Sequence, residues 1–188
     1  MSKSFLNKTG LPLGLRNNNP GNLRLTNIAW QGKIPNIENT GKGFEQFVNV
    51  YYGIRAMLKD LINDINKGKN TVKLLISEYA PKSDNNDTDA YIDSVSTTLG
   101  VSPNEKLTKI NSTFLLRLSR AILKVELGKD HHGLITDADI VKAITMLGDV
   151  STTNLKVSID KFALAKQYIL PALITIGLFF YSYVTITI

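Results

Sequence analysis

The sequence predicts a mainly α-helical domain with a loop-rich N-terminal lobe and a C-terminal transmembrane helix. From about residue 51 onward, apolar residues recur at spacings of three and four between capping residues and glycines, as in amphipathic helices. Residues 1–50 lack this period, and residues 167–188 contain no charge. We therefore divide the chain into an N-terminal arm, a globular domain, a linker with a basic juxtamembrane helix, and a membrane span: 1–13, 14–150, 151–166 and 167–188.

Composition excludes some classes of site. The chain of 188 residues is long enough for one domain with its own core plus an appendage. It has no cysteine, which excludes disulfides and thiolate metal sites, and we expect neither a metal nor a cofactor. The net charge of +6 permits an anionic partner, but the basic residues are scattered, so no specific nucleic-acid surface is expected.

The segment 14–24 concentrates amide and guanidinium groups in what its composition predicts to be a loop. Pro20 and Gly21 suit the second and third positions of a type II turn, and the segment should not be helical. Amides donate and accept hydrogen bonds, as sugar hydroxyls and N-acetyl groups do. The alternative is a plain surface turn whose asparagines bond the backbone. The candidate saccharide ligands are Arg16, Asn17, Asn19, Asn22 and Arg24.

Five amphipathic helices follow this lobe. Their starts are marked by residues of N-cap type and their ends by Gly or Pro. Thr136 and Asp139 form the pattern of a capping box at the start of the last of them. In chain order the predicted helices cover residues 51–67, 71–80, 87–99, 112–127 and 136–147.

The uncharged C-terminal segment 167–188 has the length of a membrane span, because a helix needs about 20 apolar residues to cross the hydrocarbon core. The alternatives are a buried core helix and a β-rich apolar tail. Interfacial aromatic and cationic groups are supplied by Tyr168, Tyr181, Tyr183, Lys156, Lys161 and Lys166. We predict a single-pass C-terminal anchor in a lipid bilayer.

Glu126 is the candidate acid of the chain. On the fourth helix it shares the angular stripe of Leu115 and Ile122, and it lies in the last turn, where the helix dipole disfavours an anion. Partial burial on that apolar stripe and the helix dipole both raise the pKa of a carboxyl. Glu126 can therefore be a neutral acid that protonates a leaving-group oxygen. The alternative is a solvent-facing glutamate at the edge of the stripe.

Two further carboxylates, Asp84 and Asp87, flank an asparagine pair before the third helix. They are candidates for a second catalytic carboxylate, as glycosidases require. The alternative is that they serve as turn and cap residues.

The chain resembles a family of phage and prophage virion proteins. The resemblance lies in Gly14-Leu-Arg-Asn-Asn-Asn-Pro-Gly-Asn-Leu-Arg24, Trp30-Gln-Gly32, Phe44-Glu-Gln-Phe47 and Tyr52-Gly-Ile-Arg-Ala56. Members of that family open with G-[IL]-R-N-N-N-P-G-N-[IL]-R. The likeness extends over residues 14 to about 147, and at Glu126-Leu-Gly128 the family tends to read His-Glu-Asn-Gly.

The same blocks resemble lysozyme-like peptidoglycan hydrolases, especially bacterial glucosaminidases, in a rotated order. Asn22-Leu-Arg24 looks like their Asn-rich loop, the segment 79–91 looks like their late segment, and Glu126-Leu-Gly128 looks like the end of the catalytic helix with which they begin. A circular permutation would produce this order, since domain termini are often close. The resemblance implies a lysozyme-like (α+β) fold.

By that resemblance the chain is expected to be a virion-associated peptidoglycan hydrolase, anchored in the internal viral membrane, that cuts the β-1,4 bond as the virus enters its host. Glu126 would be the general acid, and Tyr79 and Tyr91 would stack on or bond to the saccharide. A lone carboxylate favours a lytic transglycosylase, whereas an Asp84 or Asp87 partner favours hydrolysis. The alternative is a non-catalytic virion protein that links capsid proteins to the membrane.

Overall fold

The computed structural model describes residues 2–148 and 156–159. In this part of the chain the structure is mainly helical, which confirms the predicted helical character. No helix among these residues combines the length and the apolarity that a bilayer crossing requires. The membrane span predicted over 167–188 lies outside the described residues.

The described residues contain six α-helices, two 3₁₀ turns and two short strands, joined by loops. The helices are α1 Leu13–Arg16, α2 Val50–Asn66, α3 Val72–Tyr79, α4 Thr88–Leu99, α5 Ser112–His131 and α6 Asp137–Thr145. The strands are β1 Lys109–Asn111 and β2 Lys156–Ser158, and the 3₁₀ turns are Lys82–Asp84 and His132–Leu134. Helices α2 to α6 correspond to the five predicted helices.

The helix boundaries follow from local capping. The Thr71 hydroxyl accepts a hydrogen bond from the backbone of Leu74 at 3.1 Å, and Thr136 and Asp139 form the predicted capping box. Gly128 (φ 71°, ψ 176°) breaks the helical backbone inside α5. Glu126 therefore lies at the carboxyl end of the straight part of α5, where backbone carbonyls are left without helical partners.

The segment 14–24 departs from its prediction in two respects. Its first residues belong to the single-turn helix α1. The turn exists, since the Asn22 backbone donates to the Asn19 carbonyl at 2.9 Å, but the positive φ falls at Asn18 and Asn22 instead of Gly21. Asparagine tolerates this left-handed conformation. Gly21 is needed for space, because a Cβ there would lie 2.6 Å from the Tyr79 hydroxyl oxygen.

Helix α2 is the centre of the core. It packs against α3, α5 and α6, while α4 packs against α3 and α5. Its fully buried side chains are Val50, Ile54, Met57, Leu58, Leu61 and Ile62. Burial of each large side chain contributes about 1.5–3 kcal/mol. The first turns of α2 thus form a rigid support for the segment 14–24 that packs on them.

The two strands form a parallel pair in which Lys109 aligns with Lys156 and Asn111 with Ser158. Strand β2 falls within 151–166, the predicted linker and basic helix. At these three residues the backbone is extended instead of helical. The run Val157-Ser158-Ile159 contains two β-branched residues, which favour extended backbone.

The N-terminal arm packs against the domain. Phe5 is buried, and its backbone N–H donates to the Asn18 side chain at 2.7 Å. The Lys3 ammonium pairs with Asp139 of α6, and the Lys3 carbonyl accepts from the backbone of Val50. The arm thus joins the start of α2, the start of α6 and the polar segment that carries Asn22.

Candidate active site

Two cavities meet at Glu126. The larger, of about 520 Å³, lies between the N-terminal lobe and helices α2 and α3, and both Asn22 and Glu126 line it. The smaller, of about 340 Å³, is lined by residues of α4 and α5 that include Tyr91, Val125 and Glu126. Glu126 and Asn86 line both. Glu126 therefore lies between the two cavities, which together we call the groove.

Each oxygen of the Glu126 carboxyl accepts one hydrogen bond. The Asn22 amide donates to Oε2 at 2.8 Å, although the two residues are 104 positions apart. The Tyr91 hydroxyl donates to Oε1 at 2.9 Å. Asn22, a candidate saccharide ligand, and Glu126, the candidate acid, thus line the same cavity. Two donors from different elements fix the direction in which the carboxyl points.

Burial raises the pKa of Glu126 above its ordinary value of 4.5. The hydrogen bonds from Asn22 and Tyr91 favour the charged form and act against this effect without cancelling it. A carboxyl with a raised pKa holds its proton closer to neutral pH, as a general acid must. The direction agrees with the prediction from the helix position.

The two tyrosines have different surroundings. The ring of Tyr91 is buried and its hydroxyl donates to Glu126, so the structure does not support stacking on a saccharide. That Tyr91 bonds to a saccharide stays a prediction. Tyr79 lines the larger cavity, and its hydroxyl donates to the carbonyl of Gly21. Burial raises the pKa of both tyrosines, so both phenols stay protonated as donors. Tyr91 positions the carboxyl, and Tyr79 positions the loop that carries Asn22.

Asn17 and Asn19 are not groove residues. Both side chains are buried, with 2% and 0% of their surface exposed. The Asn17 amide donates to the Gly41 carbonyl at 3.2 Å, and the Asn19 amide donates to the Glu45 carbonyl at 3.0 Å. Their amides donate to backbone carbonyls inside the lobe, so the structure does not support the prediction that they bind saccharide. Among the asparagines of this loop, Asn22 lines the groove.

The two arginines of the loop also differ. Arg24 lines the larger cavity and pairs with Asp84 at 2.9 Å. Arg16 is not among the residues that line either cavity, and its Nε atom is buried. The structure therefore supports a groove position for Arg24 and does not support one for Arg16.

Asp84 and Asp87 accept hydrogen bonds from different partners: Asp84 from the Arg24 side chain, and Asp87 from the backbone of α4. Asp87 caps α4 by accepting from the backbone of Ala90 at 3.1 Å, and Asp84 is held by Arg24. Asp87 is therefore a helix-capping residue, which is the alternative that the sequence left open for it. Neither carboxylate contacts Glu126, although Asp84 lines the larger cavity and Asp87 the smaller one.

A carboxylate that sequence reasoning missed, Asp60, lies in the same groove as Glu126. Asp60 and Asp64 are one turn apart on α2, and with Glu78 of α3 they line the larger cavity. Burial, followed by the neighbouring Asp64, raises the pKa of Asp60 to about 6. The available signal was the pair of aspartates at a spacing of four on the polar edge of α2.

Asp60→Asn is expected to stabilise the fold above about pH 6. The pKa of Asp60 is raised in the folded state from 3.8 to about 6, so its ionisation costs stability as pH rises through that window. Asparagine removes this cost, by about 1 kcal/mol after allowance for solvent screening. Urea unfolding at about pH 4 and about pH 8 measures it, and an equal effect at both values would mean that ionisation of Asp60 is not the cause.

Aromatic and apolar side chains from the N-terminal lobe form part of the groove wall. Trp30, Phe44 and Ile28 line the larger cavity together with the acidic side chains of α2. Such surfaces suit the apolar faces of sugar rings, with polar groups beside them for the hydroxyls. Within residues 2–148 and 156–159, no group of three or more histidine or acidic side chains is arranged to hold a metal ion.

No family model matches the chain. Protein P5 of Pseudoalteromonas phage PM2 is 33% identical to it over 99 residues, which cover 50% of this chain and 59% of that protein. The match thus spans less than two thirds of the length of the relative. It supports the phage part of the resemblance carried by the sequence motifs.

Proposed function

We propose that the chain is a phage enzyme that cleaves the glycan strand of peptidoglycan, with Glu126 as the general acid. The observation that carries the proposal is the Glu126 carboxyl itself. It is partly buried with a raised pKa, it is oriented by Asn22 and Tyr91, and it lies between the two cavities of one groove. A polysaccharide that crosses this junction would place a glycosidic oxygen beside the acid.

The reaction would begin with proton transfer from Glu126 to the oxygen of the β-1,4 bond. The sugar on the other side of the bond then acquires oxocarbenium character. The carboxylates of Asp60 and Asp64 on α2, which line the same cavity, would stabilise that positive charge. Attack by water completes hydrolysis, whereas attack by the 6-hydroxyl of the muramyl residue completes a lytic transglycosylase reaction.

We further propose a virion location with a C-terminal anchor in the internal viral membrane. The similarity to a phage protein and the uncharged segment 167–188 support this location. The partners would be peptidoglycan, the lipid bilayer and capsid proteins. In that setting the enzyme reaches the cell wall when the virus enters its host.

The test is incubation of the full-length protein, in detergent micelles, with purified peptidoglycan and mass spectrometry of the released fragments. Disaccharide peptides are expected. Reducing ends identify hydrolysis, and 1,6-anhydro ends identify transglycosylation. Glu38→Gln is a matched control for Glu126→Gln, because Glu38 is exposed and is not among the residues that line the groove.

The competing function is a non-catalytic virion protein that links capsid and membrane. Val125 and Leu127 favour it, because they stand where the resembling family carries His and Asn. Folded protein that releases no fragment from peptidoglycan, and that co-purifies with viral lipid and capsid protein, would support this function over the enzyme.

A further inference from the structure

An ion pair spans the groove that contains Glu126. Arg24 comes from the N-terminal lobe and Asp84 from the 3₁₀ turn between α3 and α4, 60 positions away. The Arg24 Nη2 atom donates to Asp84 Oδ2 at 2.9 Å, and both residues line the larger cavity. The pair thus joins the N-terminal lobe to the turn between α3 and α4.

The guanidinium of Arg24 is held in position by an aromatic ring. It lies over Phe44, 5.0 Å from the ring centroid. This contact restricts the plane of the guanidinium, which lowers the entropy lost when it binds a ligand. A planar guanidinium presents paired donors that match the two oxygens of a carboxylate. Among the described residues, Asp84 is the side chain to which Arg24 donates a hydrogen bond.

The ion pair is exposed enough to be exchanged. The side chains of Arg24 and Asp84 are 63% and 40% exposed. Exposed pairs of this kind contribute little to stability, so a ligand can replace one partner without loss of the fold. The Asp84 carboxylate thereby stands in for a carboxylate that arrives on a ligand.

Apart from Arg24, the ionisable side chains that line this cavity are carboxyl groups and one phenol. Asp60, Asp64 and Glu78 line it together with Glu126, and Arg24 is the basic residue among those that line it. A ligand with one carboxylate therefore has one favourable position for that group, at Arg24. The position of the carboxylate then fixes which sugar lies beside Glu126.

We propose that Arg24 binds a carboxylate carried by the glycan strand, in exchange for Asp84, and so sets the register of the strand. The inference rests on the proposed function and names the ligand chemistry of that site. Peptidoglycan carries free carboxylates on its peptide substituents, and on lactyl groups to which no peptide is attached. N-acetylglucosamine oligomers carry none, and they offer the same ring chemistry without the group that Arg24 binds.

The test is calorimetric binding of two soluble saccharides to the full-length Glu126→Gln protein, which separates binding from turnover. The probes are a tetrasaccharide peptide from peptidoglycan and the N-acetylglucosamine tetramer. In this background Arg24→Gln is expected to weaken binding of the peptidoglycan fragment about ten-fold and to leave the tetramer unchanged. Asp84→Asn is expected to tighten binding of the fragment several-fold, because it removes the competing carboxylate.

Two controls sharpen the result. Arg117→Gln makes the same charge change on α5 at a residue that donates to the Thr98 carbonyl and is not among those lining the groove, so it should change neither affinity. In the double variant Arg24→Gln, Asp84→Asn, the gain from Asp84→Asn should disappear. Equal weakening of both probes by Arg24→Gln, or an unchanged affinity in Asp84→Asn, overturns the inference.

The outcomes also separate this inference from the proposed function. If the wild-type protein cleaves peptidoglycan but Arg24→Gln does not discriminate between the probes, the carboxylate site is wrong and the enzyme stands. If neither probe binds and no peptidoglycan is cleaved by folded protein, both proposals fail.

Discussion

Glu126→Gln is expected to lower the rate of glycan cleavage by about 10²–10⁴ while the protein stays folded. Glutamine cannot give a proton to the leaving oxygen. Its carbonyl oxygen can still accept from the Asn22 amide, and its NH₂ group can donate to the Tyr91 oxygen, so the local contacts persist. The rate of fragment release from purified peptidoglycan measures the loss.

As pH rises, the same variant is expected to become more stable than the wild-type protein. Burial raises the pKa of Glu126 in the folded state above its ordinary value of 4.5, so ionisation above that pH costs the folded state stability. Glutamine removes the cost, and the difference from wild type should grow as pH rises from about 4.5. Urea unfolding at two pH values measures it.

The pairing of lost activity with gained stability is the signature of a residue kept for chemistry. A variant that loses both would indicate a structural role for Glu126 and would sink its assignment as the acid. Glu38→Gln, which alters an exposed glutamate, should change neither quantity.

The helices were predictable because their signals are local. Thr71, Asp87 and Thr136 cap helices through hydrogen bonds to residues three positions away, and each bond depends on a short stretch of sequence. Strand β2 was not predictable in the same way, because its pairing with β1 aligns Lys156 with Lys109, which is distant in the sequence.

The asparagine loop shows why site residues are harder to predict than helices. Its composition marks a polar loop, but three of its asparagines are buried and one lines the groove. Which amide does which depends on distant partners, such as the Phe47 carbonyl for Asn18 and the Glu45 carbonyl for Asn19. Asp60 was missed for the same reason: it becomes a groove residue only when α3 and the N-terminal lobe close around α2.

Gly53→Ala is expected to destabilise the protein by about 3 kcal/mol, or roughly 10 °C in Tm. A Cβ at Gly53 would lie 1.9 Å from the Asn18 carbonyl oxygen and 3.1 Å from the Asn19 Cα. These atoms belong to backbone that is tied on both sides, since the Asn18 amide bonds Phe47 and the Asn19 amide bonds Glu45. The loop cannot move aside without breaking these bonds.

The direction of this effect opposes helix propensity. In the interior of a helix, alanine is more favourable than glycine by about 1 kcal/mol. A Gly53→Ala protein that is less stable than wild type is therefore explained by the clash with the loop and not by helix propensity. Gly133→Ala is the matched control, because a Cβ there meets nothing within 4 Å and should be neutral or slightly stabilising. Thermal unfolding followed by circular dichroism compares the two. A Gly53→Ala protein as stable as wild type would mean that the Asn18–Asn19 backbone does not pack on α2. The argument that α2 supports the loop and so places Asn22 beside Glu126 would then be wrong.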